Sequence, residues 1–256
     1  MPGRPFRGTI CPVSDTLIVN EVFLSLQGES SFAGLPCVFV RLTGCNLRCS
    51  YCDTAYAFAE GRPWTLAEVR AEVDRLAGPY RAAQSPWRLP LVELTGGEPL
   101  LQPNSLALMK ALCDAGFTVL LETNGALDIS PADPRVHRIM DLKCPSSGEV
   151  SRNRWENLQH LRSTDQLKFV IASVEDYEWA REAVTQRRLA ALCPVLFSWA
   201  SPLEAHQRAA SLKPVPPGHT PLSRQQLAER IIADALPVRF HLQAHKFIWP
   251  ADKRGV

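Results

Sequence analysis

The chain has 256 residues, 46% of them hydrophobic and 21% charged, and its 28 Lys and Arg against 26 Asp and Glu leave a formal net charge of +2. This composition reads as a single globular domain over residues 1–256, and so small a net charge excludes the electrostatic footprint of a protein that binds long nucleic acids. No run of about 20 apolar residues occurs, and no apolar stretch of secretory type follows the basic start, so a cytoplasmic protein with no membrane partner is expected.

In chain order, residues 36–44 (PCVFVRLTG) read as a β-branched, aromatic strand ending in a loop. Residues 64–77 are amphipathic, with Leu66, Val69, Val73 and Leu76 at helical spacing and Thr65 placed to cap. Residues 89–99 form a buried strand that runs into a Gly-rich loop, and residues 104–117 a helix capped near Asn104. Strand-and-loop units follow at 118–125 and 136–148, then a strand at 165–173 and a helix at 174–190. A strand at 193–201, a helix at 223–236 and a final strand at 238–249 complete the series. Alternating strands and helices predict a parallel sheet with helices outside. Six main repeats are too few for a closed eight-unit barrel, so an open, partial (β/α)6 barrel is expected. Residues 203–221, with four prolines between Lys213 and Pro221, read as a surface insertion.

Eight cysteines in a chain of this size point to metal or redox chemistry rather than a disulfide scaffold. Cys11, Cys37, Cys113, Cys144 and Cys193 are scattered and expected as small buried hydrophobes. Cys45, Cys49 and Cys52 form a C-x3-C-x2-C array just after the first predicted strand. Zinc would need a fourth ligand, which Cys144 or a histidine could bring. A [4Fe–4S] cube held by three thiolates keeps one iron open for a substrate or cosubstrate. The other polar motifs, at residues 95–99, 122–125, 141–148 and 243–246, also fall at predicted strand ends, where such folds carry their chemistry.

The array, with Tyr51 before its last cysteine, resembles the signature of the radical S-adenosylmethionine superfamily, and LTGGEP (residues 94–99) resembles that superfamily's GGEP motif. The resemblance implies a partial (β/α)6 barrel in which the open iron binds S-adenosylmethionine and one electron releases a 5′-deoxyadenosyl radical. SLQGE (residues 25–29), Arg41, GCNLRCSYCDT, ELTGGEPL, LETNG, DLKCPSSG, QLKFVI and LQAHKFIW further resemble the 7-carboxy-7-deazaguanine synthase family across nearly the whole chain. That family implies conversion of 6-carboxy-5,6,7,8-tetrahydropterin to 7-carboxy-7-deazaguanine with loss of ammonia, Mg2+ as a further cofactor, a flavodoxin- or ferredoxin-type electron donor and a homodimer, in queuosine precursor synthesis. A glycyl-radical activase and a zinc-stabilised binding module are the alternatives.

By this resemblance Leu26, Gln27, Gly28, Glu29, Arg41, Thr95 and His245 are expected to meet the pterin. Backbone groups and Glu29 suit its donor–acceptor edge, and Arg41 suits its carboxylate. Gly97, Glu98, Thr123, Asn124, Asp141, Leu142, Lys143, Ser146 and Gln243 are expected at S-adenosylmethionine. Thr54 is expected to ligate Mg2+, although Asp53 is the better ligand on charge alone.

Overall fold

The structure, a computed structural model, describes residues 15–80, 89–250 and 253–256; the expectations for Cys11 and for the start of the chain lie outside them. The strands are β1 (Thr16–Leu26), β2 (Pro36–Leu42), β3 (Arg62–Thr65), β4 (Leu91–Gly96), β5 (Val119–Thr123), β6 (His137–Asp141), β7 (Gln166–Ile171), β8 (Val195–Trp199) and β9 (Arg239–His241). They make one open sheet in the order β3-β1-β2-β4-β5-β6-β7-β8-β9. From β2 to β9 every pairing is parallel, which is the expected open, partial barrel.

Two strands were not expected. β1 pairs antiparallel with both β2 and β3 and extends the sheet before its first parallel strand. Its apolar run is interrupted by Asn20 and Glu21, and the chain absorbs the break as a bulge between Val19 and Glu21. The predicted last strand also shortens: after β9 the chain turns into α5 (His245–Ile248). Nor does a helix follow every strand. β5, β6 and β7 are joined by irregular segments and short 3-10 stretches such as Pro145–Ser147 and Trp155–His160.

The remaining helices are α1 (Leu66–Ala77), α2 (Asn104–Asp114), α3 (Val174–Gln186) and α4 (Arg224–Ala233). α1 starts as its sequence predicts: Thr65 and Glu68 form a reciprocal capping box. Ser173 with Asp176 and Ser223 with Gln226 do the same for α3 and α4. Asn104 does not cap α2; it is the first helical residue, and its side chain donates to the Thr16 carbonyl at 2.9 Å.

Side-chain alternation sorts the sheet into two faces. Val38, Val40, Leu42, Val92, Leu94, Val119 and Leu121 pack outward with residues of α1 and α2. Leu167, Phe169, Ile171, Val195 and Phe197 do so with residues of α3 and α4. The alternate positions turn inward. Their lower layer is apolar (Cys37, Phe39, Leu91, Leu120, Ile139) and their upper layer is charged (Arg41, Glu122, Asp141, Lys168). Cys37, Cys113, Cys144 and Cys193 are buried as expected.

Candidate active site

The inner face encloses a cavity of about 610 Å3 at the C-terminal ends of the parallel strands, within the usual size of a small-molecule site. Of the residues singled out in the sequence, Leu26, Gln27, Gly28, Glu29, Arg41, Cys45, Cys49, Cys52, Thr54, Thr95, Gly97, Thr123, Asn124, Asp141, Lys143, Gln243 and His245 line it. Three expected residues do not. Leu142 is buried in the outer core. Ser146 is fully buried and gives both its amide and its hydroxyl to Asp176. Glu98 is fully buried behind the wall, where it accepts from Thr123 Oγ1 at 2.9 Å and from the Asn124 amide at 2.7 Å. It joins two strand-end loops rather than facing the cavity.

The charges at the strand ends of the cavity are paired. Lys168 bridges Glu29 at 3.0 Å and Glu122, whose other oxygen accepts from Thr95 Oγ1 at 3.0 Å. Gln243 donates to Glu29 at 3.0 Å. Burial raises the Glu29 carboxyl, but the charges of Lys168 and His245 and hydrogen bonds from Gln243 and Lys168 outweigh it and hold Glu29 down at about 2. Lys143 pairs with Asp141 at 2.8 Å; burial lowers its ammonium, and Asp141 and Cys49 more than reverse that. Arg41 faces inward and binds Glu21 through Nε at 2.7 Å, while Tyr56 donates to the same oxygen at 3.0 Å.

Asp53 pairs with Lys246 at 2.5 Å and accepts the Thr54 hydroxyl proton at 2.8 Å. Burial works against the Asp53 charge, but Lys246 leads the groups that hold its carboxyl well below the usual range. Asp53 is therefore committed to an ammonium, and Thr54, having donated its proton, keeps oxygen lone pairs that suit a hard cation.

Among the described residues no three His, Cys, Asp or Glu side chains converge on a single-ion site. Cys45, Cys49 and Cys52 instead sit around one cavity, and a four-iron cube takes its thiolates one per iron rather than at a shared point. Cys144, the distant fourth ligand that a zinc site would call on, packs fully buried in the outer core. Burial pushes the Cys49 thiol up to about 11 and the Cys52 thiol up to about 12, a cost that bound iron would offset by favouring thiolate. Asp141 Oδ1 and Tyr51 Oη, both in residues of the wall, are buried without a hydrogen-bond partner among the described residues, which suits a polar ligand such as S-adenosylmethionine.

The glycines explain how the two loops meet. A Cβ on Gly97 would collide with the Gly44 carbonyl and come within 2.9 Å of Cys45 Cβ. Gly97 thus lets the β4 loop lie against the cysteine loop, a packing reason that stands beside any ligand contact. G97A is expected to push the cysteine loop outward, lower the iron bound per chain and cost roughly 1–3 kcal/mol of stability. Iron analysis and a denaturant titration check both effects.

Several lining residues were not singled out. Glu93 is one layer below Thr95 and looks in sequence like part of an apolar strand. His206 and Gln207 come from the expected surface insertion, which reaches the cavity because Lys213 anchors it to Glu149 at 2.9 Å and to the Arg48 carbonyl. Lys253, Arg254, Gly255 and Val256 also line the cavity; Arg254 stacks 3.7 Å over Tyr56 and pairs with Glu60 at 2.7 Å.

An open parallel sheet whose first parallel strand leads into a three-cysteine loop beside a charged cavity is the architecture of a radical S-adenosylmethionine enzyme, and a model of the Radical SAM superfamily matches residues 39–145. A 7-carboxy-7-deazaguanine synthase of Koribacter versatilis is 44% identical over 241 residues, covering 93% of this chain and 99% of its own. One of Chlorobaculum tepidum is 42% identical, covering 94% and 97%. The chain belongs to the 7-carboxy-7-deazaguanine synthase family. The solved structure of QueE from Escherichia coli shares the fold, with a TM-score of 0.61 at 21% identity over 90% of this chain and 95% of that one. The chain is thus an enzyme of 7-deazapurine synthesis, and its superfamily implies a [4Fe–4S] cluster and S-adenosylmethionine. Among the described residues no helix is long and apolar enough to cross a membrane.

Proposed function

We propose that the chain converts 6-carboxy-5,6,7,8-tetrahydropterin to 7-carboxy-7-deazaguanine with loss of ammonia, the substrate lying in the cavity beside S-adenosylmethionine. The observation that carries this reading is that one cavity is lined both by the three cysteines and by the Gln27–Glu29 turn with Lys168. When bound at Cys45, Cys49 and Cys52, the cluster would supply the electron that cleaves S-adenosylmethionine, whose radical starts the ring contraction.

The chain's own residues bind and orient. Ionised Glu29 accepts from the N–H groups of the pterin's guanidine-like edge, and the backbone of Leu26–Gly28 reads its remaining donors and acceptors. The Nη groups of Arg41 take the substrate carboxylate, their orientation fixed by the Nε bond to Glu21. Thr95 and His245 flank the ring. Asp141 meets the ribose of S-adenosylmethionine, Lys143 its carboxylate, and Gly97, Thr123, Asn124 and Gln243 the rest. Glu98, Leu142 and Ser146 support this wall from behind. An electron donor of flavodoxin or ferredoxin type and a homodimer belong to the same proposal. Exposed Phe240, Phe247 and Ile248, on and just after the edge strand β9, offer apolar surface for a second copy.

Anaerobic incubation of reconstituted protein with the carboxytetrahydropterin, S-adenosylmethionine and reductant tests the reading: cleavage of S-adenosylmethionine without a deazaguanine product sinks it. We assign Mg2+ to Thr54, with Asp53 orienting the hydroxyl. T54A is expected to weaken Mg2+ roughly 10–100-fold, read as a rightward shift of the Mg2+ dependence of turnover. An unchanged titration removes Thr54 from the metal.

A further inference from the structure

Glu93 is an acid where the fold is least suited to one. β4 turns Leu91, Glu93 and Thr95 inward; Leu91 belongs to the apolar floor, so Glu93 stands just above it, 3% exposed yet lining the cavity. A carboxyl there is costly unless a partner meets it. That partner is Gln27, whose amide nitrogen donates to Glu93 in a short hydrogen bond. The amide orientation is fixed by chemistry: Gln27 Oε1 accepts the Glu29 N–H at 2.8 Å, so the NH2 must face Glu93. The chain of bonds continues from Glu29 to Lys168 and Gln243.

Taking the pterin reading as its basis, we infer that Glu93 is a positioning residue: it locks the Gln27 amide, and through it the 27–29 turn, in the orientation that faces the bound heterocycle. Removing Glu93 leaves the amide free to rotate and its NH2 without a partner, which loosens the Glu29 N–H and the carboxylate that follows it. Burial, together with the nearby charges of Glu122 and Glu29, pushes the Glu93 carboxyl well above its usual range. The hydrogen bond to Gln27 thus anchors the amide at a place where burial and the neighbouring carboxylates disfavour the Glu93 charge.

Steady-state kinetics of E93A, E93Q and the Q27A/E93A pair on the reconstituted enzyme test this. E93A is expected to raise KM for the carboxytetrahydropterin roughly 10-fold or more, through loss of a buried hydrogen-bonded anchor, with KM for S-adenosylmethionine little changed. E93Q, which keeps an acceptor for Gln27, restores the pterin KM to within a few-fold. Because Glu93 acts through Gln27, the double variant is expected to be no worse than Q27A. An unchanged pterin KM in E93A, an E93Q as impaired as E93A, or additive effects in the double variant would overturn the inference; if E93A does not fold, the comparison of E93Q with wild type decides, a loss of pterin affinity in E93Q counting against it. Wild-type protein that does not turn over the pterin overturns the substrate reading and this inference with it, whereas wild-type turnover with an unaltered E93A overturns this inference alone.

Discussion

Replacing Cys49 with alanine is expected to abolish iron loading and all turnover that depends on it while leaving the chain folded. The two effects separate because Cys49 sits on a loop at the cavity wall, not in either outer core cluster. Losing one buried thiol from such a loop costs about 1 kcal/mol. Losing one of three cluster ligands removes a corner of the cube, which no other thiol among the described residues is placed to replace: Cys144 is locked in the outer core. C144A is the matching control. It is expected to bind iron as the wild type does, whereas a zinc site completed by Cys144 would lose its metal. Iron and sulfide per chain after anaerobic reconstitution, followed beside circular dichroism, read both variants; C49A protein with a full complement of iron would remove the cysteine array from the centre of the enzyme.

How much of this was legible in the sequence depends on how local each feature is. The cysteine loop was readable because its three ligands lie within eight residues and the strand before it is plainly β-branched. The capping boxes of α1, α3 and α4 are equally local. Asn104 misled because a polar residue near a helix start is a cap only if the chain is still non-helical there, and Pro103 already adopts helical angles. Strand β1 was missed because Asn20 and Glu21 break its alternation, and a bulge restores it only once β2 supplies the register. Glu98 and Ser146 sit in the right motifs but point behind the wall, a distinction of side-chain direction that motif spacing does not carry. Glu93, His206 and the residues after Lys253 reach the cavity only through tertiary convergence, and nothing near them in sequence announces it.

The second large effect is expected at Lys168. Its ammonium lies, 5% exposed, between Glu29 and Glu122 and 4.0 Å from Asp141. K168M keeps the length of the side chain and removes the charge, leaving partly buried carboxylates, with His245 and Gln243 among the groups that still oppose the charge at Glu29. Breaking a buried pair in this way costs roughly 3–5 kcal/mol. The pH dependence carries the proof. Glu29 has a folded value of about 2 against 4.5 for the ordinary group, so its contribution is fully present above 4.5 and fades as pH falls from there toward 2. In K168M burial dominates instead, the Glu29 carboxyl moves up, and the variant suffers most at neutral pH, where an ionised Glu29 has lost its counter-charge. The stability gap between wild type and K168M is therefore expected to narrow as pH falls below about 4.5. Denaturant titrations at neutral and acid pH measure it, and a gap that stays constant or widens on acidification would show that the Lys168 charge does not hold Glu29 ionised. Turnover should fall further than stability alone explains. With Lys168 gone, Glu29 and Glu122 no longer share an anchor, and a displacement of about 1 Å at a substrate-orienting group costs on the order of 100-fold in rate.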